Sequence, residues 1–285
     1  MLERITHPNG VVTYQSPMLR ELGVRHGFST RIGGISRGAY ATLNLGSLAK
    51  GPATDDNTLV AENFRRFRKA VGLERVMRVT VRQVHGCEVW RPPPEVESAK
   101  HKAAPEADAM ISDDPQQMLT IRTADCVPIL LASKDGRMVG AVHAGWRGIV
   151  AGVIEATVKV MHGKAGALTA AIGPCIGRDH FEVGPEVVEA FERAGLADPH
   201  VGDVVIADGT YDRPHIDLVE AAWVALTRAG VRRERIDHPA PGGVCTYRDE
   251  QDFYSHRRDV THRGGAVTGR MAAVIAAGRK VLENG

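Results

Sequence analysis

Apolar residues recur with helical spacing over residues 59–71, 149–161, 185–194, 218–229 and 270–281, and this period predicts five amphipathic helices. Between them lie short apolar runs rich in β-branched residues, at 24–29, 76–84, 109–112, 118–123, 127–133, 138–142 and 168–172, which predict strands. Helical and extended runs interleave along the whole chain. No internal repeat, low-complexity tract or long Pro/Gly/Ser linker divides them, so one domain over residues 1–285 is expected. Its fold class should be α+β (mixed α/β), a mixed sheet flanked by helices.

One segment allows a geometric inference. Lys134-Asp135-Gly136-Arg137 sets an Asp-Gly pair between two apolar runs, a strong hairpin signal. If Lys134 faces Arg137, then Pro128 faces His143, and Cys126 lies two positions further along the same sheet face. Diagonal neighbours of this kind lie about 7–8 Å apart at most, so an imidazole and a thiolate there can converge on one ion. A bulge or another loop length would move the two side chains to opposite faces.

The chain has 285 residues, of which 43% are hydrophobic, 25% charged and 5% aromatic, with a net charge of +2. The basic residues are scattered, so no footprint for nucleic acid stands out; the densest run, 65–69, reads as the solvated face of a helix. No stretch approaches the roughly 20 apolar residues of a membrane span, and Met1 to Pro8 lack a long apolar core. The four cysteines, Cys87, Cys126, Cys175 and Cys245, are far apart and form no CxxC pair. Reduced thiols and a cytoplasmic location are therefore expected, with no membrane contact and no protein partner inferable.

The chemistry-bearing residues are His85 in Gln83-Val84-His85-Gly86, Cys126 in Thr123-Ala124-Asp125-Cys126-Val127-Pro128, and His143 in His143-Ala144-Gly145-Trp146-Arg147-Gly148. Each has a bland reading alone: a hydrogen-bonded histidine, or a cysteine acting as a small buried hydrophobe. Together they read as three ligands of a metal with an open coordination position, the arrangement of a catalytic rather than a structural zinc. Asp125 is the nearest carboxylate, a candidate for proton transfer or for fastening a loop. Gly145 to Gly148 introduce the 149–161 helix, so free backbone N–H groups and the Arg147 guanidinium should face the same region and favour an anion. Gly34-Ile35-Ser36-Arg37-Gly38 matches G-x-S-x-G without the helix that a nucleophile elbow requires. The spacing of the zinc deaminases, the Walker A loop and G-x-G-x-x-G are all missing.

These segments, with Phe28-Ser29-Thr30-Arg31-Ile32-Gly33-Gly34, Leu43-Asn44-Leu45-Gly46, Ile172-Gly173-Pro174-Cys175-Ile176-Gly177 and Cys245-Thr246-Tyr247, resemble the YfiH family over nearly the whole chain. That family comprises the laccase-domain or polyphenol-oxidase-like proteins described as purine nucleoside phosphorylases. The resemblance implies zinc on His85, Cys126 and His143. It also implies phosphorolysis of adenosine, inosine, guanosine or methylthioadenosine, and deamination of adenosine, for which zinc can lower the pKa of a bound water to about 7. Phosphorolysis needs an anion clamp, for which Arg31, Arg147 and Arg258 are candidates. Cys87, two residues after His85, could close the site as a fourth ligand, and His262 is a second such candidate. Two rivals remain open: a cysteine- or metal-dependent amide hydrolase acting on peptidoglycan precursors, with Cys126 activated by His143, and a copper polyphenol oxidase using Cu2+ on the same residues.

Overall fold

The computed structural model describes residues 1–46, 54–93, 104–161, 167–198, 200, 202–206, 212–240 and 242–278. In chain order the strands begin with β1 (Glu3–Thr6), β2 (Val12–Gln15), β3 (Arg25–Ser29), β4 (Met77–Thr80), β5 (Val89–Trp90), β6 (Ala109–Ser112) and β7 (Gln117–Thr123). They continue with β8 (Val127–Ala132), β9 (Val139–Ala144), β10 (Thr169–Ile172), β11 (Val205–Ile206), β12 (His215–Ile216), β13 (Ile236–Asp237) and β14 (Met271–Ala276). The α-helices are α1 (Pro17–Glu21), α2 (Asn57–Ala70), α3 (Trp146–Val150), α4 (Val153–Val160), α5 (Pro185–Arg193) and α6 (Leu218–Arg228). Among the described residues no helix is long and apolar enough to cross a membrane.

Two six-stranded mixed sheets dominate, ordered β1-β2-β3-β14-β7-β4 and β13-β10-β8-β9-β6-β5. They pack face to face because their central strands are apolar on both sides. Phe28, Leu119, Ile121, Ala273 and Ile275 of the first sheet meet Met110, Leu130, Ala141 and Ala171 of the second. Alternate residues point outward: Met118, Ala272, Val274 and Ala276 lie under Val60, Phe64 and Phe67 of α2. On the far face of the second sheet, Ile129, Leu131 and Val142 are covered by α4 and α6. The order of layers is thus helix, sheet, sheet, helices. Each fully buried Leu, Ile or Phe in these layers is worth about 1.5–3 kcal/mol relative to exposure.

The mixed α/β class expected from the sequence is observed, with the sheet present as two packed sheets. The hairpin register also holds, since Pro128 pairs with His143 across β8 and β9. Two helices differ from expectation. Residues 270–281 were expected as a helix, but Met271–Ala276 forms β14, wedged between β3 and β7 and buried throughout; residues 279–281 lie outside the described residues. A Met-Ala-Ala-Val-Ile-Ala run that is apolar on every side carries no period to separate a helix from a doubly buried strand. The 149–161 helix starts earlier and is broken, with α3 ending before Gly152, whose φ of +83° opens α4 at an angle a continuous helix would not allow.

Candidate metal centre

β7 belongs to the first sheet and β8 to the second, so residues 124–126 carry the chain from one sheet to the other at one end of the sandwich. Cys126 stands in that crossing, immediately before β8. His143 lies near the end of β9, on the same side as Pro128, and therefore points between the sheets towards the crossing. His85 comes from the loop after β4. The ligand atoms of His85, Cys126 and His143 all lie within 4.8 Å of one another, and among the described residues they form the only such group of three. The Cys126 thiol is 3.9 Å from His85 Nε2, and the two imidazole rings meet edge to face at 4.9 Å.

Asp108, which spacing alone did not single out, organises this cluster. β6 pairs antiparallel with β9 so that Ala109 faces Val142, which sets Asp108 across from His143. The His143 backbone N–H donates to the Asp108 carbonyl at 2.7 Å, and His143 Nδ1 donates to its carboxylate at 2.8 Å. That bond leaves His143 Nε2 free to bind a metal. The same carboxylate accepts three successive backbone N–H groups, from Val84 at 3.1 Å, His85 at 3.0 Å and Gly86 at 2.7 Å. His85 takes a positive φ of 62° to turn these amides onto one acceptor. One wholly buried carboxylate therefore fixes two of the three ligands.

Electrostatics sharpen the picture. Burial would raise the Cys126 thiol, but the imidazoles of His143 and His85 outweigh it and bring it down to about 6. Burial would likewise lower His143; the Cys126 thiolate and Asp108 overcome this and lift it to about 9. Burial also opposes the charge on Asp108, yet His143 and the Gly86 and Val84 amides hold it below the usual carboxylate range. The two imidazoles thus favour the Cys126 thiolate, the form that ligates metals or attacks carbonyl carbon.

The cluster lies in a cavity of ≈ 490 Å³, of the size that takes small organic ligands, whose walls include Gln83, Arg122, Phe181, His256 and Arg270. Gly145 lets the ligands approach: a Cβ there would stand 3.0 Å from His85 Cδ2 and 3.1 Å from Cys126 Sγ.

The remaining sequence candidates fall elsewhere or act differently. Asp125 adopts φ 94°, a costly conformation for a non-glycine residue. Its carboxylate accepts from Thr246 Oγ1 at 2.7 Å and from the Arg257 backbone N–H at 2.7 Å, while its carbonyl accepts from Ile176. Asp125 therefore ties the crossing to two distant segments. Arg258 was a candidate clamp, but all five of its N–H groups are spent on Asp259 and on the carbonyls of Thr246, Tyr247 and Phe253. Arg31 donates to the carbonyls of Ala41 and Glu250 and lies over Tyr254, fastening loops away from the cavity. Arg147 is exposed and stacked on Trp146, outside the cavity lining. Cys87 does not join the ligand group, and His262 accepts or donates a bond with the Tyr247 hydroxyl at 2.9 Å, so neither closes the site.

The chain thus combines a two-sheet mixed α/β fold with a His–Cys–His cluster, at the end of the sandwich, that could hold a metal ion. The chain belongs to the family described as multi-copper polyphenol oxidoreductase laccase, which matches residues 25–278 and includes proteins named YfiH. It is 37% identical over 277 residues to a purine nucleoside phosphorylase of Deinococcus radiodurans, covering 94% of this chain and 96% of that one. It is 38% identical over 253 residues to purine nucleoside phosphorylase YfiH of Escherichia coli, covering 89% and 93%. Among solved structures, YlmD from Geobacillus stearothermophilus is similar with a TM-score of 0.81 at 29% identity, covering 97% of this chain and 99% of that one.

Proposed function

We propose that this protein is a zinc-dependent purine nucleoside phosphorylase that cleaves adenosine, inosine, guanosine or methylthioadenosine with phosphate, and that also deaminates adenosine. The observation that carries this reading is the convergence of His85, Cys126 and His143 in a cavity of nucleoside size, in a chain with full-length relatives named for phosphorolysis. The donor set fits a metal. Two imidazoles and a thiolate suit zinc, with Asp108 behind His143 as the carboxylate that commonly orients a ligating histidine. Copper accepts the same donors, but a single group of three among the described residues is far from the many histidines that multicopper oxidation uses. Zinc bound there would supply a Lewis acid and a water of lowered pKa.

In phosphorolysis a phosphate oxygen bonds to ribose C1′ as the bond from C1′ to the purine nitrogen breaks, and the base leaves with a proton. The chain's part is to hold both partners in line and to exclude competing water. In deamination, water adds at purine C6 and ammonia departs. Asp108 orients His143 through Nδ1, and Asp125 ties the crossing loop to Thr246 and Arg257.

A second reading has its own support. Cys126, His143 and Asp108 also line up as thiolate, imidazole and carboxylate, the order of a cysteine hydrolase. His85 argues against it, since a thiol nucleophile needs no second imidazole at 3.9 Å. The test is product analysis with adenosine, inosine and phosphate before and after chelation, on wild type and on Cys126→Ser and His143→Ala. Hypoxanthine and ribose 1-phosphate should form only with metal and phosphate present, and both variants should lose metal and turnover. Turnover that survives complete metal removal would overturn the zinc reading in favour of the thiol nucleophile.

A further inference from the structure

Four arginines line the cavity beside the metal centre: Arg82, Arg122, Arg257 and Arg270. Two of them are committed elsewhere. Arg82 is paired with Glu106 at the exposed rim. Arg257 donates to the Glu182 carbonyl at 2.9 Å and stacks over Phe181. Arg122 and Arg270 are different. Among the described residues the Arg122 guanidinium has no hydrogen-bond or ion-pair partner. Arg270 Nη1 donates to the carbonyls of Thr268 and Gly269, at 3.1 and 3.0 Å, which leaves its Nε and Nη2 donors to the cavity. The Asp125 carboxylate lines the same space but is held by Thr246 and Arg257.

Strand register explains why these two side chains act together. Arg122 pairs with Ala272 and Thr123 with Met271, so Arg270 and Arg122 are diagonal neighbours on one face of the first sheet. Gln83 pins the Arg122 backbone from both sides, donating to its carbonyl at 2.7 Å and accepting its N–H at 3.0 Å. Arg78 shares that face, stacked on Phe64 at 4.2 Å. Burial, and then the positive charges of Arg78 and Arg270, make the protonated form of Arg122 harder to keep; burial does the same to Arg270, and Cys126, Asp125 and Tyr40 offset it only in part. A half-buried guanidinium such as that of Arg122, with no carboxylate acting on it and two arginines nearby, is costly unless an anion completes it.

We propose that Arg122 and Arg270 form the phosphate subsite of this cavity, binding inorganic phosphate as the co-substrate beside the His85–Cys126–His143 cluster. The assignment rests on the phosphorolytic reading for its role in turnover, but not for the binding itself. Two forked guanidiniums can each engage an oxyanion in paired hydrogen bonds, and the sheet holds them in place before phosphate arrives. The same chemistry would accept the 5′-phosphate of a nucleotide, so the two sources must be compared directly.

The experiment is calorimetric titration of inorganic phosphate, and separately of a nucleoside 5′-monophosphate, into the zinc-loaded protein and its Arg122→Gln, Arg270→Gln and Arg122→Lys variants. Zinc content and melting temperature are recorded for each, and phosphate KM is measured with inosine. Both Gln variants should weaken phosphate binding by about tenfold or more, as expected for a lost charge-assisted hydrogen bond. Arg122→Lys should recover part of it, with zinc content unchanged and the KM for inosine little altered. Phosphate binding within about twofold of wild type in both Gln variants would overturn the assignment. Binding of the monophosphate without binding of inorganic phosphate would overturn it too. Arginine-dependent phosphate binding in a wild type that cleaves no nucleoside would leave the subsite standing and remove the phosphorolytic reading instead.

Discussion

Replacing Asp108 with Asn should damage both stability and metal binding, and the size of the effect can be worked from its four bonds. One carboxylate oxygen accepts from the His85 N–H and from His143 Nδ1, and the other accepts from the N–H groups of Val84 and Gly86. Each oxygen therefore serves two donors. Asn has only one oxygen, so two bonds are lost when its NH2 group faces the Val84 and Gly86 N–H groups, and when it faces the other pair the His85 bond is lost and the His143 bond survives only with its direction reversed. Hydrogen bonds to a charged group contribute about 1.5–3 kcal/mol each, which gives a loss of about 3–6 kcal/mol in this fully buried position. That is a large part of the 5–15 kcal/mol by which folded domains are usually stable. With the NH2 against His143, Nδ1 must become the acceptor, the proton moves to Nε2, and the histidine can no longer ligate. A lost orienting carboxylate typically weakens metal affinity by about 10–100-fold. The assay is thermal unfolding of the metal-free variant by circular dichroism, paired with zinc competition against a chromophoric chelator. The melting temperature should fall by roughly 10 °C, given about 2–4 °C per kcal/mol for a chain of this size. A variant that melts within about 2 °C of wild type and binds zinc within about threefold would refute the argument that one carboxylate organises the site.

Other expectations follow from the same geometry. Gly145→Ala places a methyl 3.0 Å from His85 and 3.1 Å from Cys126, so the ligands must separate by a few tenths of an ångström; zinc affinity should drop by about tenfold while the fold persists, and an unchanged affinity would show that the ligands give way freely. His26, only 2% exposed, accepts from the Ser16 N–H at 2.9 Å and donates to the Val24 carbonyl at 3.0 Å, so burial brings its pKa down to about 4 from 6.5. The unfolded chain takes up that proton first, so stability present above pH 6.5 is lost as pH falls towards 4. Urea unfolding of the metal-free protein at pH 7 and 4.5 should reveal about 2 kcal/mol of extra acid sensitivity in wild type compared with His26→Gln. Equal acid sensitivity in the two proteins would contradict a buried neutral His26.

Local chemistry in the sequence determined much of this protein. The Asp-Gly hairpin set the β8–β9 register, because a turn counted residue by residue decides which side chains share a face. From that register the convergence of Cys126 and His143 could be read, and the motif around His85 supplied the third member of the cluster. Alternation and β-branched content marked seven of the strands, β3, β4, β6, β7, β8, β9 and β10, to within a few residues. What remained depended on partners distant in the chain. β14 is a strand because β3 and β7 flank it, a fact that its uniformly apolar residues do not encode. Asp108 matters because β6 pairs with β9 and sets it against His143, 35 residues away. The arginines were the least legible, since every one carries the same charge in sequence. Only packing distinguishes Arg258, whose five donors are consumed by its own fold, from Arg122, which lines the cavity and whose guanidinium has no partner among the described residues. The members of the candidate cluster follow from residue type and short-range spacing, whereas the availability of a charge is settled by which other groups the tertiary structure brings to it.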